Sequence, residues 1–365
     1  MSEPLVEPAT LAEEFLEEPV RAEREVSAER EVSAEQVSLA RRLRQPRTIL
    51  SILVPLGIIG LFVYLNRDRL AQVPTLVLQA NPLLVVVAFA VFYLGFPLRG
   101  RRWALLLRWT GFRIGTKDAT EILYLSWFVN CVVPAKLGDV YRAYLLKMNS
   151  SASLSRTFGT VFIERVLDLF AIALLGLAAG YWSFRAGLPP AIEAVFVVGI
   201  VVVVLLAAGM FTLRNFGRRI LTRLPIPARF VELYNRFEEG VFGAIGVRRL
   251  PVLATLTVSI WATEAVRLFL VVRALDFPGV SLGISGAVFV ALIGSLLTAI
   301  PLSPAGLGFA QAGVIGVLTV AYGVPLPEAT AITVLDWVIS VISIIVLGAI
   351  AYLVSKKPRG EGRIA

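Results

Sequence analysis

The sequence has no histidine and a single cysteine, Cys131. Without imidazole it lacks the usual general base, the commonest metal ligand and the side chain that switches charge near neutral pH. One thiol excludes an internal disulfide and a thiolate metal cluster. Charge is sparse: Asp, Glu, Lys and Arg make up 17% of 365 residues, against about 25% in an average soluble chain. No metal-ligand spacing, phosphate-cradling glycine loop or nucleophile elbow occurs. These absences argue against a self-contained enzyme. No cofactor, metal site or catalytic residue is expected.

What is present is apolar. Hydrophobic residues reach 57% and mean hydropathy is +0.78, where soluble domains hold about 45–50% apolar residues. Several runs approach the ~20 residues needed to cross a bilayer. The expected fold class is all-α: a polytopic integral membrane helix bundle. The net charge of +9 is uneven. Residues 1–40 hold eleven Glu and three Arg, a net of −8, so the remainder carries +17. Basic excess in a membrane protein gathers in cytoplasmic loops facing anionic lipid. No soluble basic domain is there to bind nucleic acid.

Three regions follow. Residues 1–47 read as a cytoplasmic tail, acidic and then basic. The tail repeats Arg-Glu-Val-Ser-Ala-Glu at 24–29 and 30–35, a period that suits no regular helix, and its composition reads as disordered. Residues 48–355 hold about six full crossings and two helical hairpins. Residues 356–365 are a basic cytoplasmic tail. Arginines before Thr48 and basic residues after Val354 place both termini in the cytoplasm of a multi-pass plasma-membrane protein. The crossing Pro82–Leu98 ends in Arg99, Arg101 and Arg102, which read as markers of the cytoplasmic face. The 214–250 segment is basic too, with Phe230, Leu233, Tyr234, Phe237 and Val241 at helical spacing. That stripe suggests a helix packed on the bundle.

The chain is organised around Asn130 to Arg142. Ala119–Val133 is short for a crossing, and Pro134 and Gly138 break the helix. Lys136, Asp139 and Arg142 bring charge to the break. The next apolar run carries Glu164, Arg165 and Asp168. Ionisable groups at membrane depth face a cavity or the protein interior. An ordinary loop between two spanning helices, with Arg165 and Asp168 as a self-neutralising i,i+3 pair, is the plainer alternative. A second break runs from Pro301 through Pro304 and Gly306 to Gly308. Pro134-Ala135-Lys136-Leu137-Gly138 matches Pro304-Ala305-Gly306-Leu307-Gly308 at four of five positions. Glu164 follows Pro134 by 30 residues and Asp336 follows Pro304 by 32. Counting crossings makes the two hairpins re-entrant halves of an inverted repeat, a transporter arrangement; the alternative, which loop charge does not distinguish, is that the second break joins two full crossings.

At these motifs the sequence resembles the flippase-like membrane region of the lysylphosphatidylglycerol synthase/flippase family. The resemblance runs from about Arg47 to Lys356. It is carried by Asn130, Pro134, Gly138, Asp139 and Arg142, by Glu164-Arg165 with Asp168, and by Pro301 to Gly308. It implies a lipid-handling membrane protein, a flippase for an aminoacylated or glycosylated lipid. The soluble aminoacyl-transfer domain of the full-length synthases has no counterpart after Val354, so no synthesis of lysyl-lipid is expected. Three departures stand out. Asp139 replaces the usual Glu, Ala305 replaces a Gly, and Gln311 and Asp336 stand where Glu and Arg are common.

The expected substrate-binding set is Asn130, Lys136, Asp139, Arg142, Glu164, Arg165, Asp168, Gln311 and Asp336. Arg142, Arg165 and Lys136 would attract a lipid phosphate. Glu164, Asp168 and Asp336 would hold an amine headgroup or a coupling proton. Asn130 and Gln311 would orient polar groups. The expected partners are membrane lipids, anionic or headgroup-modified. Two other functions fit the sequence: an accessory subunit beside a membrane-associated transferase, and a membrane-embedded transferase using Asp139 or Glu164 as base.

Overall fold

The computed structural model describes residues 53, 56–57, 60–133, 136–185, 190–223, 228–246, 248–280, 282–299 and 303–359. The tail at 1–47, most of the first apolar run, Pro134, Pro301 and residues 360–365 lie outside them. Every described element belongs to one unit, Ile49–Ala365. No strand occurs among the described residues.

Two short helices, α1 (Arg67–Leu70) and α2 (Val73–Leu78), precede α3 (Pro82–Trp109). Asn81 caps α3 by accepting from the amides of Leu83 and Leu84, and Pro82 sits where a missing N–H costs nothing. Next come α4 (Thr116–Val132), α5 (Leu137–Asn149), α6 (Leu154–Ser183) and α7 (Pro190–Arg223). After α8 (Ala228–Ala244) and α9 (Leu250–Leu275) the chain forms α10 (Ile284–Ala299), a 3₁₀ turn at Pro304–Gly306 and α11 (Phe309–Tyr322). It closes with α12 (Leu326–Trp337), a π-helical turn at Val338–Ile342 and α13 (Ser343–Val354).

Five spans among the described residues are long and apolar enough to cross a membrane, in α3, α7, α9, α11 with its 3₁₀ turn, and α12 through α13. Leu94, Leu174, Val204, Leu205, Val266, Val320 and Leu353 are exposed on the outer surface. An apolar surface of that extent suits hydrocarbon rather than water. Inside, α3 packs on α9, α6 on α10, and α4 on α3, α5 and α13. Phe92, Phe96, Leu123, Leu268, Val290 and Ile332 fill the core between them. The chain is a polytopic helical membrane protein.

Two local readings of the sequence change. Helix α3 does not end near Leu98 but continues to Trp109. Arg99 and Arg102 therefore turn inward at 4% and 1% exposure, while Arg101 and Arg108 on the other faces are exposed. Residues three apart share a helix face, so this basic cluster is half surface marker and half interior. The last crossing also is not one regular helix. The π-helical turn interrupts it directly after Asp336 and Trp337, and such turns recur at functional positions. The 228–244 helix packs on the bundle as expected, though Phe230 and Leu233 at the start of its stripe are exposed. A Cβ on Gly240 would lie 2.2 Å from the Arg156 carbonyl, and one on Gly159 would lie 2.4 Å from that of Phe237. Val241 is fully buried there beside Ile163 and Leu253.

Candidate functional site

The first break is held by its own polar atoms. Helix α4 ends at Val132, and the side-chain Oδ1 of its Asn130 accepts from the Gly138 amide at 2.8 Å. Gly138 has no room for a side chain: a Cβ would lie 2.0 Å from the Ser126 carbonyl. Lys136 opens α5 in the left-handed region, φ +52°. That conformation is costly for a residue with a Cβ and persists only when its surroundings impose it. Helix α5 then carries Asp139 and Arg142 on its inner side.

The second break repeats this design. The Gly308 amide donates to the Gln311 side chain at 2.7 Å, and the Ser303 hydroxyl donates to the Leu307 carbonyl at 2.8 Å. Gly306 has φ +69° and corresponds to Lys136 in the matched pentapeptides, so both copies turn left-handed at the same place. Ala305 also has φ +50°. Glycine takes that conformation without steric cost, which is the physical reason a glycine is expected at this position.

Both breaks open on one cavity of about 410 Å³. Eight of the nine expected binding residues line it: Asn130, Lys136, Asp139, Glu164, Arg165, Asp168, Gln311 and Asp336. Ser303 and Ala305 of the second break line it as well. Arg142 does not. It is wholly buried behind the wall, 4.7 Å over the Trp103 ring and 2.8 Å from Glu164. A side chain so enclosed cannot reach a lipid phosphate, contrary to the expectation from sequence.

The wall is a network of arginine–carboxylate pairs. Arg102 grips Asp168 with both Nη atoms at 2.7 and 3.0 Å and reaches Glu164 at 3.0 Å. The second oxygen of Glu164 accepts from Arg142. Arg165 clamps Asp139 with two bonds of 2.9 and 2.8 Å and stands 3.7 Å from Asp168. Across the cavity Glu264 lies between Arg99, at 2.5 Å, and Arg267. Arg267 also forks onto Asp336 at 2.8 and 3.0 Å. Such bidentate pairs are the strongest and most directional charged contacts. They let the bundle bury these groups, because an unpaired charge in hydrocarbon costs far more.

Charge bookkeeping separates one residue from the rest. Arg99, Lys136, Arg165 and Arg267 line the cavity with Asp139, Glu164, Asp168, Glu264 and Asp336. Arg102 and Arg142 stand behind, bonded to those carboxylates. Six cations thus meet five carboxylates. Lys136 is the member of this set that has no carboxylate within 4 Å among the described residues, and Arg165, at 32% side-chain exposure, is the most open of the arginines that pair with these carboxylates. In a low dielectric such a surplus attracts an anion strongly. Among the described residues no group of three or more Cys, Asp or Glu side chains is placed to hold a metal ion.

Several residues of the wall were outside the expected binding set. Arg99, Glu264, Arg267, Trp127, Trp261 and Trp337 all line the cavity. The signal for three of them was available: Glu264 and Arg267 sit i,i+3 inside an apolar crossing, and Arg99 shares a face with Arg102. Nothing in the pattern marked the tryptophans.

A family model described as the lysylphosphatidylglycerol synthase transmembrane region matches residues 48–348. A UPF0104 membrane protein of Methanocaldococcus jannaschii is 35% identical over 239 residues, covering 64% of this chain and 99% of that protein. A UPF0104 membrane protein of Methanothermobacter thermautotrophicus is 27% identical over 324 residues, 82% of this chain and 90% of the relative. A protein named glycosyltransferase AglD, from Haloferax volcanii, is 29% identical over 273 residues, 63% of this chain but 42% of that protein.

Proposed function

This chain belongs to the family of the lysylphosphatidylglycerol synthase transmembrane region, and from that membership we propose that it takes the phosphate-bearing headgroup of a membrane lipid into its central cavity and moves it across the bilayer. One observation carries the reading: two helix breaks and a dense set of ionised side chains meet at a single cavity inside an apolar bundle. Broken helices and charge at that depth occur where a polar solute must be accommodated. Lys136 supplies the charge that draws the phosphate in, and the exposed edge of Arg165 supplies further donors. Asn130 and Gln311 hold the two break loops rather than the ligand. The paired helices around the two breaks are the halves of an inverted repeat, with both termini and the first break on the cytoplasmic side.

Reconstitution tests this. Proteoliposomes containing only the purified chain should speed the movement of a fluorescent phospholipid headgroup between leaflets, and Lys136→Asn should remove the gain. Equal rates in protein-free vesicles refute transport. A second reading, an accessory subunit of a lipid-linked glycosyl-transfer system, is favoured by the likeness to a protein named as a glycosyltransferase. It predicts headgroup binding without movement, and co-purification with a transferase.

A further inference from the structure

We propose that the cavity selects a phosphate-linked headgroup that is otherwise uncharged, a polyol or a sugar, and excludes a headgroup carrying an ammonium. This rests on the reading above that the cavity holds a lipid headgroup, and it narrows that headgroup's chemistry. An ammonium moved from water into an apolar bundle needs an anionic partner. The wall has none free. Asp139, Asp168 and Asp336 are each gripped by two guanidinium bonds. Glu164 and Glu264 each lie between two arginines. Each carboxylate's charge is already neutralised by arginine, so an arriving amine would compete with guanidinium groups for it rather than find an unpaired anion.

The cation side is different. Lys136 lines the cavity with no carboxylate within 4 Å among the described residues, so the enclosed set carries one positive charge more than it neutralises. A phosphodiester, with a single negative charge, balances it. An aminoacyl group on the same lipid would bring positive charge into a wall that already holds a surplus. The rest of the lining suits hydroxyl oxygens. Trp261 and Trp337 line the cavity, and their indole N–H groups are buried with no acceptor among the described residues. Buried donors of this kind are ordinarily satisfied, and a small side-chain rotation would be needed to offer them to ligand hydroxyls. Ser295 and Thr298 donate to backbone carbonyls of their own helix, which leaves their oxygens as acceptors.

A diacylglycerol phospholipid and a polyprenyl-phosphate sugar share this chemistry, and binding to the full-length chain in detergent separates them. The probes are phosphatidylglycerol, a polyprenyl-phosphate hexose and lysyl-phosphatidylglycerol. The first and last differ only in the aminoacyl group. Phosphatidylglycerol or the polyprenyl-phosphate hexose should bind at least tenfold more tightly than lysyl-phosphatidylglycerol; the tighter of the two identifies the carrier. Lys136→Asn should weaken that binding about tenfold without lowering the melting temperature, since Asn tolerates the left-handed backbone there. Lys136→Gly, the residue of the second break, serves as the backup variant. Lysyl-phosphatidylglycerol binding as tightly as phosphatidylglycerol, with Lys136 still required, overturns the selectivity alone. Failure of every phosphate-bearing lipid to bind, or binding indifferent to Lys136, overturns the headgroup reading itself.

Discussion

Arg102 is the residue whose loss the network should tolerate least. It is 1% exposed and bonds Asp168, Glu164 and the Thr257 hydroxyl at once. Arg102→Ala leaves Asp168 with only the more distant Arg165, at 3.7 Å, and halves the partners of Glu164. Breaking a buried pair from one side typically costs about 3–5 kcal/mol. At roughly 1–2 °C per kcal/mol for a chain of this size, the melting temperature in detergent should fall by about 3–10 °C. Arg101→Ala, one residue away but exposed, should stay within about 0.5 kcal/mol of the parent. The decisive comparison is Arg102→Met with Asp168→Leu. Both charges of one pair then leave together, while Glu164 keeps Arg142 and Asp139 keeps Arg165. The double variant should regain most of the lost stability, because apolar replacement of a whole buried pair is often neutral. If Arg102→Ala melts with Arg101→Ala, or the double variant is no better than the sum of its parts, the ion-pair account of this wall is wrong.

Cys131 is the only thiol and lines the cavity; in right-side-out vesicles an impermeant maleimide should fail to label it, and labelling from outside would reverse the proposed orientation. Ala305→Gly should raise the melting temperature by about 1–2 °C, since about 1 kcal/mol of left-handed strain at φ +50° is relieved; no change would mean the turn is not held in that conformation. Gly138→Ala places a Cβ 2.0 Å from the Ser126 carbonyl, so it should disrupt the first break and lower both melting temperature and lipid movement, whereas wild-type behaviour would show the close approach to be absent. In double-mutant cycles on melting temperature, Arg267→Gln with Asp336→Asn should be strongly non-additive because their side chains share two hydrogen bonds. Gln311→Leu with Asp336→Asn should add within about 0.5 kcal/mol, because Gln311 is engaged by the Gly308 amide.

Much of the fold could be read from hydropathy and breakers. Long apolar runs became helices, and the turn residues around Gly138 and Gly306 fell between short ones. The stripe from Phe230 to Val241 packed only at its C-terminal end, where Val241 is buried, while Phe230 and Leu233 stay exposed. The errors lie where a rule about position along the chain was applied to residues whose fate depends on helix face. Arg99 and Arg102 were counted with Arg101 as surface charge because they follow an apolar run. Only the continuation of α3 to Trp109, and its rotation toward α6 and α9, decides which of them turns inward. A one-dimensional pattern records the cluster but not the face.

Pairing is the deeper limit. Asp336 and Gln311 were marked in the sequence as departures from the family pattern, yet they do not answer each other. Asp336 is satisfied by Arg267, 69 residues earlier, and Gln311 turns to its own break loop. The same holds for Glu164 and Arg142, which the sequence offered as ligands and the packing uses on each other. Counting charges along the chain overstates how many are free to meet a ligand, because burial requires nearly all of them to find partners first. What remains after those pairings are made is the informative quantity. Here five carboxylates are consumed by arginines drawn from α3, α5, α6 and α9, and the remainder is Lys136, held in an unfavourable backbone conformation at the first break. In the proposed anion site, binding capacity is concentrated at this strained residue, the one cation of the set with no carboxylate within 4 Å among the described residues.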